Sequence, residues 1–181
     1  MGRVYLQRHT KPQIEPQICY GVSNISLHTD YREHHLPEVL RRIEHIKIDR
    51  IYSSPLKRCF TLACDIKREK AVSNITIDNR LMELNFGEWE MVHWNDIYVS
   101  AEGKAWFDDF LHTPTLGGES FDDMVERVRS FLTNIKDIDE DILVVTHSGV
   151  MRAALVITGV VPTEEVFGVE INYGDLIEIT L

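Results

Sequence analysis

Ile142-Leu143-Val144-Val145-Thr146-His147-Ser148-Gly149-Val150 decides how this chain is read: a five-residue strand pattern runs straight into an imidazole, and a helical pattern begins beyond it. Near the start, Val4-Tyr5-Leu6-Gln7 repeats the arrangement and ends in Arg8-His9. A third short strand leads through Ser53-Ser54-Pro55-Leu56-Lys57-Arg58 into another helix. Imidazoles and guanidiniums at strand ends suit a phosphate dianion, because a neutral imidazole can attack phosphorus while cations hold the oxygens.

Outward from these anchors, hydrophobic periodicity alternates strand and helix. Strands are predicted at about 3–8, 50–53, 74–78, 141–146, 168–173 and 175–180. Helices are predicted at 30–46 (disturbed near Pro37), 55–69, 93–110, 120–136 and 149–158. The clearest is 120–136, where Phe121, Met124, Val125, Val128, Leu132 and Ile135 form one stripe, with Ser120 and Asp123 as a capping box. Tyr173-Gly174-Asp175 suits a tight turn between the last two strands and hence an antiparallel edge. No internal repeat, low-complexity tract or long linker interrupts the pattern. The expected fold is α/β: a three-layer α/β/α sandwich whose mostly parallel sheet has about six strands and one antiparallel edge. Such sheets bind ligands beyond the carboxyl ends of their strands, where strand order reverses, so Arg8-His9 and His147 are expected to share a site.

At 181 residues the chain is expected to form one domain with a substantial apolar interior. Its 44% hydrophobic and 27% charged content are those of a soluble globular protein. No apolar run approaches the ~20 residues that span a bilayer, and the first residues enter a strand without a signal peptide's apolar stretch. Cys19, Cys59 and Cys64 match neither a zinc nor a redox spacing, which fits a reducing cytoplasm. The formal charge of −10, from 19 basic and 29 acidic residues, repels a nucleic-acid backbone. A phosphate site must therefore be a local positive island, feasible because salt screens charge over roughly 8–10 Å. Arg8, His9, Lys11, Lys57, Arg58, His147 and Arg152 could form it.

Ser54 reads as an N-cap and Pro55 as the first helical residue, which puts Lys57 and Arg58 in a first turn where acidic residues are expected. Taken alone, both side chains could simply extend into water; beside two other basic strand ends they point to a bound anion. His9 and His147, each alone, could equally be solvated bystanders, and His28, His34, His35, His45, His93 and His112 receive no role. No histidine–carboxylate pattern marks a metal site, so neither metal nor cofactor is expected. A phosphoester's departing oxygen needs an acid, and Leu81-Met82-Glu83-Leu84-Asn85-Phe86-Gly87-Glu88-Trp89-Glu90 offers three carboxylates in an aromatic setting. Spacing does not choose among Glu83, Glu88 and Glu90.

Together these segments resemble the histidine phosphatase (phosphoglycerate mutase-like) superfamily. The resemblance rests on Arg8-His9-Thr10, Ser53 through Arg58, Leu81 through Gly87, Gly117-Gly118-Glu119-Ser120 and Val145 through Val150, in the family's order over nearly the whole chain. It implies a single domain over 1–181 with a helical cap excursion at about 88–118. It implies His9 as a nucleophile that becomes phosphohistidine, Arg8, Arg58 and His147 as a phosphate clamp, and Glu83 as proton donor and then base; charge neutralisation without a metal further calls for a protonated His147. Thr10, Tyr20, Gly21, Asn24 and Ser148 are the implied substrate contacts. Many members carry an asparagine six residues after the nucleophile; here Glu15 stands there, so that loop is expected to take another path and a different group to cover the site.

Within the superfamily, Ile18 through Asn24 and Glu83 through Glu90 look most like alpha-ribazole phosphatases of cobalamin assembly. The implied activity is metal-independent hydrolysis of a small phosphorylated metabolite, without nucleic acid or membrane, with a homodimer left open. Alternatives are a broad sugar or metabolite phosphatase, a mutase-type phosphotransferase, and a non-catalytic phospho-ligand binding module. Tyr20, Trp89, Trp94, Trp106 and Phe107 are candidates to stack on a benzimidazole ring, although Trp94, Ile97, Phe107 and Leu111 could instead form the apolar face of helix 93–110.

Overall fold

The computed structural model describes residues 2–181 and contains a five-stranded sheet of order β3-β2-β4-β1-β5. The strands are β1 (Val4–Arg8), β2 (Arg50–Ser53), β3 (Ile75–Ile77), β4 (Ile142–Thr146) and β5 (Leu176–Ile179). The first four run parallel and β5 pairs antiparallel with β1. Helices are α1 (Leu36–Arg42), α2 (Lys57–Glu69), α3 (Trp94–Val99), α4 (Ala101–Asp108), α5 (Phe121–Ile135) and α6 (Ser148–Ile157).

Alternation along the central strands decides which helix covers which face. Val4, Leu6, Tyr52, Ile142 and Val144 pack with residues of α5 and α6. Tyr5, Ile51, Leu143 and Val145 pack with residues of α1 and α2 on the other side. The chain leaving β1 thus goes to one face and the chain leaving β4, its hydrogen-bonded neighbour, to the other. That divergence opens a crevice at their carboxyl ends. Arg8 is level with Thr146 in the parallel register, so the next residues, His9 and His147, stand side by side.

Four sequence expectations change. Residues 168–173 form no sixth strand: Val169 O is taken by Arg152, Ile171 O by Arg8, and Asn172 bonds twice with Asp175, while β5 already fills the free edge of β1. The turn at Gly174 (φ +76°) therefore joins coil to strand. Segment 30–46 divides into a π-helical turn, Tyr31–His35, and α1, with Pro37 near the join. Segment 93–110 breaks at Ser100, whose hydroxyl caps α4 through Gly103 N. Helix α2 starts at Lys57 rather than Pro55, because Leu56 is still extended. Helix α5 has the expected capping box. Among the described residues no helix is long and apolar enough to cross a membrane.

Candidate active site

His9 is 1% exposed, and its backbone N–H bonds to Thr146 O at 3.0 Å. Its Nδ1 lies 2.7 Å from the Thr10 carbonyl. A carbonyl only accepts, so Nδ1 carries the proton and Nε2 keeps its lone pair. Arg58 Nε donates toward that lone pair at 3.3 Å. Burial first, then the Arg58 and Arg8 guanidiniums, hold the His9 pKa well below 6.5, so the ring is neutral.

The His147 ring centroid is 5.1 Å from that of His9. His147 Nε2 is 2.9 Å from Ser54 Oγ, and the Cys59 thiol packs on the same ring. Burial and then Arg58 push its pKa well below 6.5, which corrects the expectation of a protonated clamp. Two neighbouring guanidiniums in a dry site leave no room for a third cation until an anion arrives. A neutral imidazole can still donate one N–H to a phosphoryl oxygen.

Arg58 is fully buried, donating to Gly21 O at 2.6 Å and Ser23 O at 2.8 Å. Arg8 donates to Ile171 O at 2.6 Å and lies 4.1 Å from the centre of the Tyr173 ring, while its buried Nε has no partner. Among the described residues the hydrogen bonds from these two guanidiniums end on carbonyls or on His9, and none on a carboxylate. No carboxylate neutralises their charge, unlike that of Arg127, which is spent on Glu119; Arg8 lines the cavity of the site, and Arg58 reaches it through His9.

Glu83 alone of the three candidate carboxylates lines the cavity. Its oxygens accept from Gly149 N at 3.1 and 3.3 Å, Leu84 N at 3.1 Å and Ser148 Oγ at 3.4 Å, at the positive end of α6. Gly149 permits this approach, since a Cβ there would lie 2.2 Å from Glu83 Oε1. Arg127 fixes the segment by donating to the carbonyls of Arg80, Met82 and Glu83. Glu88 is exposed, and Glu90 turns inward to the backbone of residues 21–23.

The cavity holds about 310 Å³. Arg8, His9, Glu83 and Ser148 line its polar end; Phe86, Trp94, Trp106 and Phe110 form an aromatic wall that continues into Phe167, with Arg152 over the Phe167 ring. Tyr20 also lines it and bonds through its hydroxyl to Tyr173 at 2.7 Å. Tyr173 stands 5.6 Å from the His9 ring, whereas Glu15 is exposed on the surface. The other expected contacts sit further back. Thr10 supplies the carbonyl under His9, Gly21 the carbonyl on Arg58, and Asn24 Oδ1 accepts from Lys57 N at 2.8 Å, outside the cavity. Lys11 and Lys57 are exposed and not part of the lining, while Trp89 is buried behind Trp106 and Phe107 is 38% exposed. Phe110, Phe121, Met124, Phe167 and Tyr173 carry no site signal in the sequence, where Phe121 and Met124 read as the stripe of α5 and Tyr173 as part of a turn, because their site neighbours are distant in the chain. Among the described residues no cluster of three or more His, Cys, Asp or Glu could hold a metal.

The histidine phosphatase superfamily (branch 1) model matches residues 4–181. "Putative phosphoserine phosphatase 2" of Hydrogenobacter thermophilus is 26% identical over 99% of this chain and 89% of that protein. The adenosylcobalamin/alpha-ribazole phosphatase of Escherichia coli is 28% identical over 71% of this chain and 65% of that protein. The crystal structure of the alpha-ribazole phosphatase from Shigella flexneri superposes with a TM-score of 0.85 at 24% identity, covering 97% of this chain and 89% of that one.

Proposed function

We propose, for a chain that belongs to the histidine phosphatase superfamily and is a phosphatase of that type, a two-step reaction through phosphorylated His9. One observation carries it: the Nε2 lone pair of a neutral imidazole, fixed by Thr10, faces the Arg58 guanidinium, and His9 shares its cavity with Arg8, whose charge also lacks an acidic partner, and with Glu83. In the first step Nε2 attacks phosphorus in line, forming the N–P bond as the ester P–O bond breaks. Glu83 delivers a proton to the departing alkoxide, and Arg8, Arg58 and the His147 N–H hold the phosphoryl oxygens. Nδ1–H stays on Thr10 O and steadies the positive ring. In the second step Glu83 takes a proton from water, the oxygen attacks phosphorus, the N–P bond breaks and inorganic phosphate leaves. Residues 1–181 act here as one catalytic unit, with 88–118 placing Trp94, Trp106 and Phe110 over the leaving group.

The leaving group we favour is alpha-ribazole, from its 5′-phosphate, which would place the enzyme in cobalamin nucleotide assembly. A flat benzimidazole matches the aromatic wall, and relatives bearing that activity in their names support it. A second reading, a small carboxylate-bearing phosphomonoester such as phosphoserine, is favoured by Arg152 in the cavity lining and by the Hydrogenobacter relative. Phosphate release from a panel containing alpha-ribazole 5′-phosphate, phosphoserine, 3-phosphoglycerate and glycerol phosphate separates them. A kcat/KM at least about tenfold higher for the first supports alpha-ribazole; equal values, or preference for the carboxylates, would remove it.

A further inference from the structure

Glu90 lies outside the chemistry just described, yet it is among the most heavily bonded carboxylates in the molecule. It accepts from Gly21 N (3.1 Å to each oxygen), Val22 N (3.0 Å), Ser23 N (3.0 Å) and Phe86 N (3.1 Å), and from the Ser23 hydroxyl. Burial alone would raise its pKa; the bonds from Ser23, Gly21, Val22 and Phe86 outweigh that and hold it below the ordinary carboxylate value. The same three-residue loop turns its carbonyls the other way. Gly21 O and Ser23 O receive Arg58 Nη2 and Nη1 at 2.6 and 2.8 Å, and Arg58 Nε reaches His9 Nε2. Gly21 has no room for a side chain, since a Cβ would stand 1.7 Å from Leu84 O.

We infer that Glu90 is a positioning residue: by gathering the N–H groups of residues 21–23 it aims their carbonyls at Arg58 and so fixes that guanidinium against His9. The arrangement answers a physical conflict. A buried arginine needs polar partners, but a carboxylate in direct contact would neutralise it and repel the phosphoryl group. Here a peptide group stands between acid and base: the Gly21–Val22 unit gives its N–H to Glu90 and its carbonyl to Arg58, and the Ser23 backbone and hydroxyl, held by the same carboxylate, set the position of the second carbonyl. The dipole of that peptide unit is oriented by Glu90 at one end and presented to Arg58 at the other, which organises the cation without consuming its charge.

This inference rests on the proposed role of Arg58, and a double-mutant cycle with p-nitrophenyl phosphate keeps the two apart. Glu90→Gln is expected to lower kcat/KM about 100-fold, the scale set by misplacing a catalytic group by about 1 Å. In an Arg58→Ala background the same substitution should change kcat/KM by no more than about twofold, because the group it acts through is gone. Glu90→Asp should recover part of the loss, since it keeps the charge. Equal factors in both backgrounds, or full activity of Glu90→Gln, would overturn the inference. Full activity of Arg58→Ala would instead overturn the proposed reaction. If Glu90→Gln does not fold by circular dichroism, Ser23→Ala, which removes one donor to the same carboxylate, carries the cycle with the same two outcomes.

Discussion

The nucleophile half and the leaving-group half of this cavity are built by opposite means. His9, His147, Arg8 and Arg58 come from the ends of β1 and β4 and the start of α2; the carbonyls of Thr10, Ile171, Gly21 and Ser23 hold His9 and the two arginines, and Ser54 Oγ holds His147. Phe86, Trp94, Trp106, Phe110, Arg152 and Phe167 come from a loop, two short helices, a connecting segment, α6 and a 3₁₀ turn, and are held mainly by one another. The first half fixes a reaction and leaves little freedom to vary. The second is built from loops and short helices outside the sheet, so its side chains can change without disturbing the strands.

Substitutions that break each half should differ in kind. The largest effect is expected from His9→Ala, about 10⁵-fold or more in kcat for every substrate, as for other covalent nucleophiles; near-parent turnover would end the proposed reaction. Glu83→Gln should cost about 10²–10⁴-fold with alkyl phosphates, yet much less with p-nitrophenyl phosphate, whose leaving group needs no proton. Equal losses on both substrates would remove Glu83 from the acid role.

The histidine pair also leaves a mark on stability. Both folded-state pKa values lie well below 6.5, so above that pH neither folded nor unfolded imidazole binds a proton and stability is unaffected. As pH falls below 6.5 the unfolded chain takes protons that the folded site refuses. Each histidine should then cost about 1.4 kcal/mol of stability per pH unit. Urea titrations from pH 7 to 5 should show a shallower fall for His147→Asn than for the parent; identical slopes would mean that the buried rings already carry protons. The smallest effect belongs to the aromatic wall. Trp94→Leu should lower kcat/KM about two- to tenfold for an aromatic leaving group and leave glycerol phosphate unchanged.

The same division decided what the sequence could disclose. Strand-end chemistry is local: Val4 through His9 and Ile142 through His147 show pattern and functional group in one stretch, and parallel pairing does the rest. Ser120 and Asp123 announced α5 for the same reason. Glu90 reads in the sequence only as one of three candidate acids until residues 21–23 fold onto it, and Arg127 reaches carbonyls 44 to 47 positions away. Tyr173 was legible only as part of a turn. Residues 168–173 have strand composition, but two arginines claim their carbonyls. Hydrophobic period does not encode such competition.

Capture of the phosphorylated enzyme tests the account most directly. Protein mixed with a ³²P-labelled phosphomonoester and denatured in alkaline detergent during turnover should carry a label that is stable to base, lost in acid, and confined to the peptide containing His9. Turnover with no label on the protein, or an acid-stable label on another residue, would contradict it.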